Sequence, residues 1–284
     1  MPGELASKNQ PVFKLQELVN DANNNLMCGI AGIWLRKPAT SLSLRASVAA
    51  MGKAISHRGP DDFGAWVAPE AGLALAHQRL AILDLSPAGH QPMASRSGRY
   101  LITFNGEIYN HLELRKQLAT PWRGQSDTET LLAAIEAWGL EGALERSTGM
   151  FGLALWDRRK CSLQLARDRF GEKPLYWGSL KQEDMWLLAF ASDLASLCAL
   201  PGVAKPDLNA DAVASYFQQG FISAPHSVYK DIQQLPPGHL LTISASDNGC
   251  APRRLGRSKP WWELQNEAQS AYHHQSSRSS AAEN

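Results

Sequence analysis

The sequence predicts an α+β fold in which β-sheets pack against one another and helices lie outside them. Two observations carry that prediction. Strand-like runs cluster, give way to a long helical stretch, and then cluster again, which fits packed sheets and fits parallel βαβ alternation poorly. Many of the runs are also too apolar to have one face in water, so they are expected between two layers.

Residues 1–27 read as a leader or an over-early start: a weakly amphipathic run (Val12, Phe13, Leu15, Leu18, Val19) is followed by the polar cluster Asn20 to Asn25. From Cys28 the chain becomes a dense apolar strand, Cys-Gly-Ile-Ala-Gly-Ile-Trp-Leu. Leu44, Val48, Met51 and Ile55 then recur at helical spacing, and the turn His57-Arg-Gly-Pro-Asp61 ends that helix. Strands are expected at 63–68, 73–84 and 100–104, and helix between about 111 and 147. Within that stretch Ser126-Asp-Thr-Glu129 has the pattern of a capping box ahead of Leu131, Ile135 and Trp138. Further strands are expected at 150–157, 161–167, 174–178 and 186–191, short helices near 193–199 and 209–218, and a last strand from His239 to Ser244. Residues 246–284, rich in Ser, Gln, Arg and Ala, read as a linker remnant and a disordered tail.

The chain of 284 residues carries 28 Lys+Arg against 27 Asp+Glu, a formal charge of +1, which argues against a nucleic-acid binder. At 44% hydrophobic and 19% charged it is globular in composition. No apolar run is long enough to span a membrane and no secretory or acylation signal opens the chain, so a cytoplasmic protein is expected. Cys28, Cys161, Cys198 and Cys250 are scattered, with no metal-ligand spacing and no disulfide framework. No P-loop, dinucleotide fingerprint, zinc-protease motif or nucleophile elbow is present.

Cys28 has a chemistry of its own if it stands at the N-terminus. Its α-amine, with a reference pKa of roughly 7.7–8.0, can take the proton of its own thiol directly or through one water. An arbitrary Met-Cys-Gly is more often a buried strand cysteine. What changes the reading is the ordered set Cys28-Gly-Ile-Ala-Gly32, His57-Arg-Gly-Pro-Asp61, His77-Gln-Arg-Leu-Ala-Ile-Leu-Asp84, Asn105-Gly-Glu-Ile-Tyr-Asn110 and Ser126-Asp-Thr-Glu129. Gly149-Met-Phe-Gly-Leu-Ala-Leu-Trp-Asp157, Arg167-Asp-Arg-Phe-Gly-Glu-Lys-Pro-Leu-Tyr176 and Leu235-Pro-Pro-Gly-His239 extend it. Together they resemble the class II glutamine amidotransferase domain, an N-terminal-nucleophile hydrolase, and within it the glutaminase half of glutamine-hydrolysing asparagine synthetase.

The resemblance implies a four-layer αββα sandwich of two antiparallel sheets over residues 28–245. It implies that Cys28 attacks the γ-amide of L-glutamine and that Asn105 and Gly106 form the oxyanion hole, each donor worth ~3–4 kcal/mol. Arg79 matches the clamp on the α-carboxylate, Glu107 and Asp127 the acceptors of the α-ammonium, and backbone at Leu80, Ile82 and Leu83 the rest of the cradle. Arg58 and Asp61 are expected to support the pocket, Arg167 and Asp168 to be structural, and His77 to be a satisfied strand histidine. No metal and no cofactor are expected for glutamine hydrolysis. ATP and Mg belong to the family's synthetase domain, whose start would follow the linker-like Trp261-Trp262. A truncated or frame-shifted gene product, one half of a split enzyme with a separate synthetase polypeptide, a free-standing glutaminase and a non-catalytic glutamine-binding subunit all remain open here, as does a homo-oligomer. So does the mature terminus: Met27 removed as initiator, or a propeptide cut before Cys28.

Overall fold

The computed structural model describes residues 27–36, 39–182, 185–245, 257–265 and 267. Residues 1–26 of the stretch read as leader, and 246–256, 266 and 268–284 of the stretch read as tail, lie outside the described residues. Strand β1 (Gly29–Leu35) leads into helix α1 (Ser41–Ala54), then strands β2 (Asp62–Ala68), β3 (Leu73–Arg79), β4 (Met93–Ala94) and β5 (Tyr100–Ile108). Helices α2 (His111–Gln117) and α3 (Asp127–Arg146) follow, then strands β6 (Gly149–Asp157), β7 (Ser162–Arg167), β8 (Tyr176–Gln182) and β9 (Met185–Ala191). The chain continues through α4 (Leu194–Cys198), α5 (Ala210–Gln219), β10 (Ile232–Gln234), β11 (His239–Ser244) and β12 (Lys259–Pro260).

These strands form two six-stranded sheets, ordered β10-β8-β9-β1-β3-β2 and β12-β11-β7-β6-β5-β4. Every pairing between the named strands is antiparallel. Three apolar clusters make the layers. One lies between the sheets and joins Ile30, Trp34, Leu75 and Phe190 to Leu101, Trp156, Leu163 and Leu241. A second packs α3 on the far side of one sheet, through Leu131 and Ile135 against Ile102 and Phe104. A third packs α1 on the far side of the other, through Leu44, Val48 and Met51 against Ala31 and Ile33. The expected αββα sandwich is the observed fold.

Side-chain alternation along these strands builds the site. In β1, Ile30 and Trp34 face the partner sheet while Ala31, Ile33 and Leu35 face α1. In β3 the inward set is Leu73, Leu75, His77 and Arg79, and in β5 it is Leu101, Thr103, Asn105 and Glu107. Both sets are apolar at one end and polar at the other. Cross-sheet hydrogen bonds replace apolar packing at the changeover: Thr103 Oγ1 donates to Ala76 O at 3.2 Å, and His77 Nε2 to Phe104 O at 3.1 Å. The sandwich is therefore dry in its middle and polar at one edge.

Four expectations change in the structure. The apolar run 73–84 is not all strand: β3 stops at Arg79, and Ile82 and Leu83 sit 64% and 40% exposed in a loop. Apolarity there serves the cleft described below, which periodicity cannot distinguish from a buried strand. The helical stretch 111–147 is two helices, with α3 broken at Gly139 (φ 74°). Only half of the capping box forms. Ser126 Oγ accepts from the N–H groups of Thr128 and Glu129, but the Glu129 carboxylate turns away to accept from the backbone of Arg123 and Gly124 at 2.9 and 3.0 Å. Finally, packing continues past 245: β12 adds to β11, and Trp261 stacks on Phe151 at 6.1 Å between ring centroids and donates to Arg167 O at 3.1 Å.

Candidate active site

Cys28 ends the inward row of β1 at the polar edge of the sandwich. The N–H of Leu80 donates to its Sγ at 3.3 Å, and the Sγ lies 3.5 Å from Leu80 O. Burial pushes the thiol pKa up; the Leu80 hydrogen bond and the Arg79 charge oppose this, and the Asp127 charge reinforces it. As placed, the thiol is protonated near neutral pH and needs a base to become a nucleophile.

Beside it opens a cleft lined by Cys28, Arg79, Leu80, Ile82, Leu83, Gly106, Glu107 and Asp127, all singled out from the sequence. Arg79 is 9% exposed; its Nη1 donates to Ser86 O at 3.2 Å and its Nη2 to Asp84 O, which leaves the rest of a five-donor fork for a ligand. Asp127, the first residue of α3, has both oxygens engaged, by Ile108 N–H at 2.9 Å and Thr128 N–H at 2.8 Å, while burial holds its pKa above the usual carboxylate range. It caps backbone and faces the cleft at once. Glu107 lies on the same wall.

Asn105 is the exception. It does not line the cleft: it is 1% exposed, and its Nδ2 points at Ser192 Oγ, 3.5 Å away. Ser192 Oγ in turn accepts from Ile30 N–H at 3.0 Å, two residues from Cys28. One long hydrogen bond thus links the amide, through Ser192, to the start of β1. Gly106 is on the wall, but the reason for glycine differs from close approach to a ligand. A Cβ there would lie 2.2 Å from Met150 O on β6, so the strand pair excludes it.

Arg58, Asp61, Arg167 and Asp168 hold backbone as expected, whereas His77 is only half satisfied. Arg58 Nε donates to Cys28 O at 3.2 Å, and Asp61 accepts from Ala81 N–H at 2.8 Å while its own N–H donates to Arg79 O. Gly59 presses on the backbone of Arg79, within 2.5 Å of any added Cβ. The HRGPD turn thus buttresses the end of β3. His77 is 1% exposed with no partner on Nδ1, and burial lowers its pKa to about 4. Arg167 donates to the carbonyls of Lys173, Leu235 and Gly171, and Asp168 accepts from the N–H groups of Phe151, Phe170, Glu172 and Lys173, so both organise backbone.

Six further lining residues, Asp84, Gly89, Gln91, Phe104, Ser126 and Thr128, were not assigned to the cleft from the sequence. Gln91 accepts from Phe104 N–H at 2.7 Å and donates to Thr128 Oγ1 at 3.3 Å, tying β5 to α3 behind the cleft. Asp84 and Gly89 shape the rim. Asp84 stood inside a quoted motif but was read as strand; no local signal marks Gln91. Lys173, 5% exposed, reaches Met27 Sδ, and burial lowers its pKa, with the Arg58 charge adding to the effect.

A profile for a glutamine amidotransferase domain matches residues 27–254. The chain belongs to the glutamine amidotransferase domain family. It is 34% identical over 255 residues to a putative glutamine-hydrolysing asparagine synthetase 2 of Methanocaldococcus jannaschii, covering 84% of this chain and 47% of that protein. It is 35% identical over 245 residues to glutamine-hydrolysing asparagine synthetase 2 of Bacillus subtilis, covering 84% and 31%. This amidotransferase domain therefore spans less than half the length of these curated relatives. Among solved structures, the allosteric regulatory enzyme of purine biosynthesis matches with a TM-score of 0.58 at 18% identity, over 83% of this chain and 49% of that one. The glutamine phosphoribosylpyrophosphate amidotransferase of B. subtilis matches with a TM-score of 0.56 at 18% identity, over the same shares. At that identity the likeness is one of fold.

Proposed function

We propose that this domain hydrolyses L-glutamine to glutamate and ammonia at Cys28. The observation that carries the reading is the convergence of one thiol, one guanidinium and two carboxylates (Cys28, Arg79, Glu107 and Asp127) on a single cleft. A zwitterionic amino acid needs opposite charges at two fixed places, and Arg79 suits its carboxylate as Glu107 and Asp127 suit its ammonium. Glutamine so held presents its γ-amide to the thiol.

The steps follow from the groups present. The neutral α-amine of an N-terminal Cys28 takes the Sγ proton, and the thiolate adds to the carbonyl carbon of the γ-amide. Negative charge then gathers on the amide oxygen, where Gly106 N–H and the Asn105 amide donate once Asn105 swings off Ser192. Collapse expels ammonia, the α-amine returning the proton to it, and leaves a γ-glutamyl thioester. Water cleaves the thioester to glutamate and the free thiol. No metal or cofactor takes part. The ammonia is destined for an ATP- and Mg-dependent amidation of aspartate in a synthetase domain or polypeptide in the cytoplasm.

The α-amine exists only when residue 27 is gone. Met27 N–H donates to Arg58 O at 2.8 Å, and its Sδ meets Lys173, so a retained residue 27 occupies the base's position. Protein with a sequenced Cys28 terminus should release glutamate and ammonia in equal amounts from glutamine, and Cys28→Ala should abolish release. Glutamine binding without turnover on such protein would favour a non-catalytic sensor in its place.

A further inference from the structure

We propose that Asp84 is a positioning residue for glutamine: its carboxylate fastens the 80–86 loop to the 121–125 loop and thereby aims the Arg79 guanidinium. The inference rests on Arg79 being the α-carboxylate clamp. Arg79 does not hold itself. Its two protein partners are the carbonyls of Asp84 and Ser86, both in the loop that follows β3. Those carbonyls point at Arg79 because Asp84 folds the loop back on itself, its Oδ1 accepting from Ser86 N–H at 2.9 Å and from Ser86 Oγ at 2.6 Å.

The other oxygen anchors the loop to the body of the protein. Asp84 Oδ2 accepts from Gln125 N–H at 2.9 Å. Gln125 is the residue before the Ser126 cap of α3, and the same short segment is held to that helix by Glu129 through Arg123 and Gly124. A continuous strut thus runs from α3 through Glu129, Gly124, Gln125 and Asp84 to Arg79. Two glycines make room for it. A Cβ on Gly124 would stand 2.4 Å from Asp84 Oδ2, and one on Gly89 would stand 2.2 Å from Arg79 Nη2. Asp84 itself is 9% exposed with both oxygens already engaged, so it is committed to the strut and acts on a ligand through Arg79.

The test compares wild type with Asp84→Asn and Gly124→Ala, each verified to begin at Cys28, and uses two ligands. L-Glutamine has the α-carboxylate; 4-aminobutanamide is the same molecule without it. In Asp84→Asn an N–H of the new amide faces Gln125 N–H or Ser86, and the loop loses its anchor. KM for glutamine should rise about tenfold or more while kcat stays within a few-fold, the scale of one misaligned charged hydrogen bond. The Ki of 4-aminobutanamide competing with glutamine should be unchanged, and Gly124→Ala should shift the same parameter in the same direction. An unchanged glutamine KM, or an equal loss for both ligands, would overturn the role of Asp84 alone. Wild-type protein that neither turns over nor binds glutamine by calorimetry would overturn the clamp reading and this inference together.

Discussion

Arg79 shows how a single side chain becomes legible only in part from sequence. Its identity as the cleft's cation was readable from His-Gln-Arg-Leu beside the other motifs, and the structure puts it in the cleft. What aims it was not readable, because the partners are backbone carbonyls in a loop whose apolar residues imitate a strand. Replacing Arg79 by Lys should keep the charge and lose the two-pronged geometry. Glutamine KM should rise at least about tenfold, with kcat affected less, in a steady-state glutaminase assay. Asn105 is the opposite case: its motif was plain, yet its amide lies on Ser192 away from the cleft. An oxyanion donor is needed only once the thiol has attacked, and geometry without a ligand can be looser than geometry with one.

At the scale of elements, β3 carries both the proposed clamp, Arg79, and a titratable cross-sheet bridge. His77 is buried against Phe104 O, and its pKa of about 4 lies below the ordinary imidazole value of ~6.5. The unfolded chain therefore takes up a proton at His77 before the folded one does. It follows that stability is complete above about pH 6.5 and is lost as pH falls through that value towards about 4, where the loss reaches roughly 3 kcal/mol. Urea unfolding at pH 7 and pH 4.5 should show His77→Gln losing less stability across that interval than wild type. Equal losses would mean that the imidazole is not the group being strained. The same strand explains why its end was mistaken. Leu80, Ile82 and Leu83 are apolar for the sake of a cleft wall, and periodicity records apolarity without its purpose. The core elements were legible for the converse reason: β1, β6 and β9 are apolar on both faces because each lies between a helix layer and the other sheet.

For the whole molecule, the division into a dry middle and a polar edge separates stability from chemistry. Trp34 and Trp156 meet edge to face across the two sheets, with ring centroids 5.0 Å apart. Trp156 lies four residues beyond Gly152 on β6, the residue paired with Asn105, or roughly 13 Å along the strand. Trp156→Ala should cost about 4 kcal/mol, lowering the thermal midpoint by roughly 10 °C, and should leave kcat unchanged well below that transition. A variant that loses kcat in step with stability would mean that middle and edge are not independent. Sheet order and the return of 257–262 to β11 were not legible. Long-range strand partners have no local signature, and Lys259–Pro260 is too short to show a period.

The central claim is that Cys28, standing at the N-terminus, forms a γ-glutamyl thioester. The most direct measurement is peptide mass analysis of protein acid-quenched during turnover of L-glutamine, with N-terminal sequencing of the same sample. The account predicts a glutamyl adduct on the peptide that begins at Cys28, absent from Cys28→Ala and from protein that retains residue 27. Glutamate release at the wild-type rate from protein that retains residue 27, or an adduct on any other side chain, would contradict it.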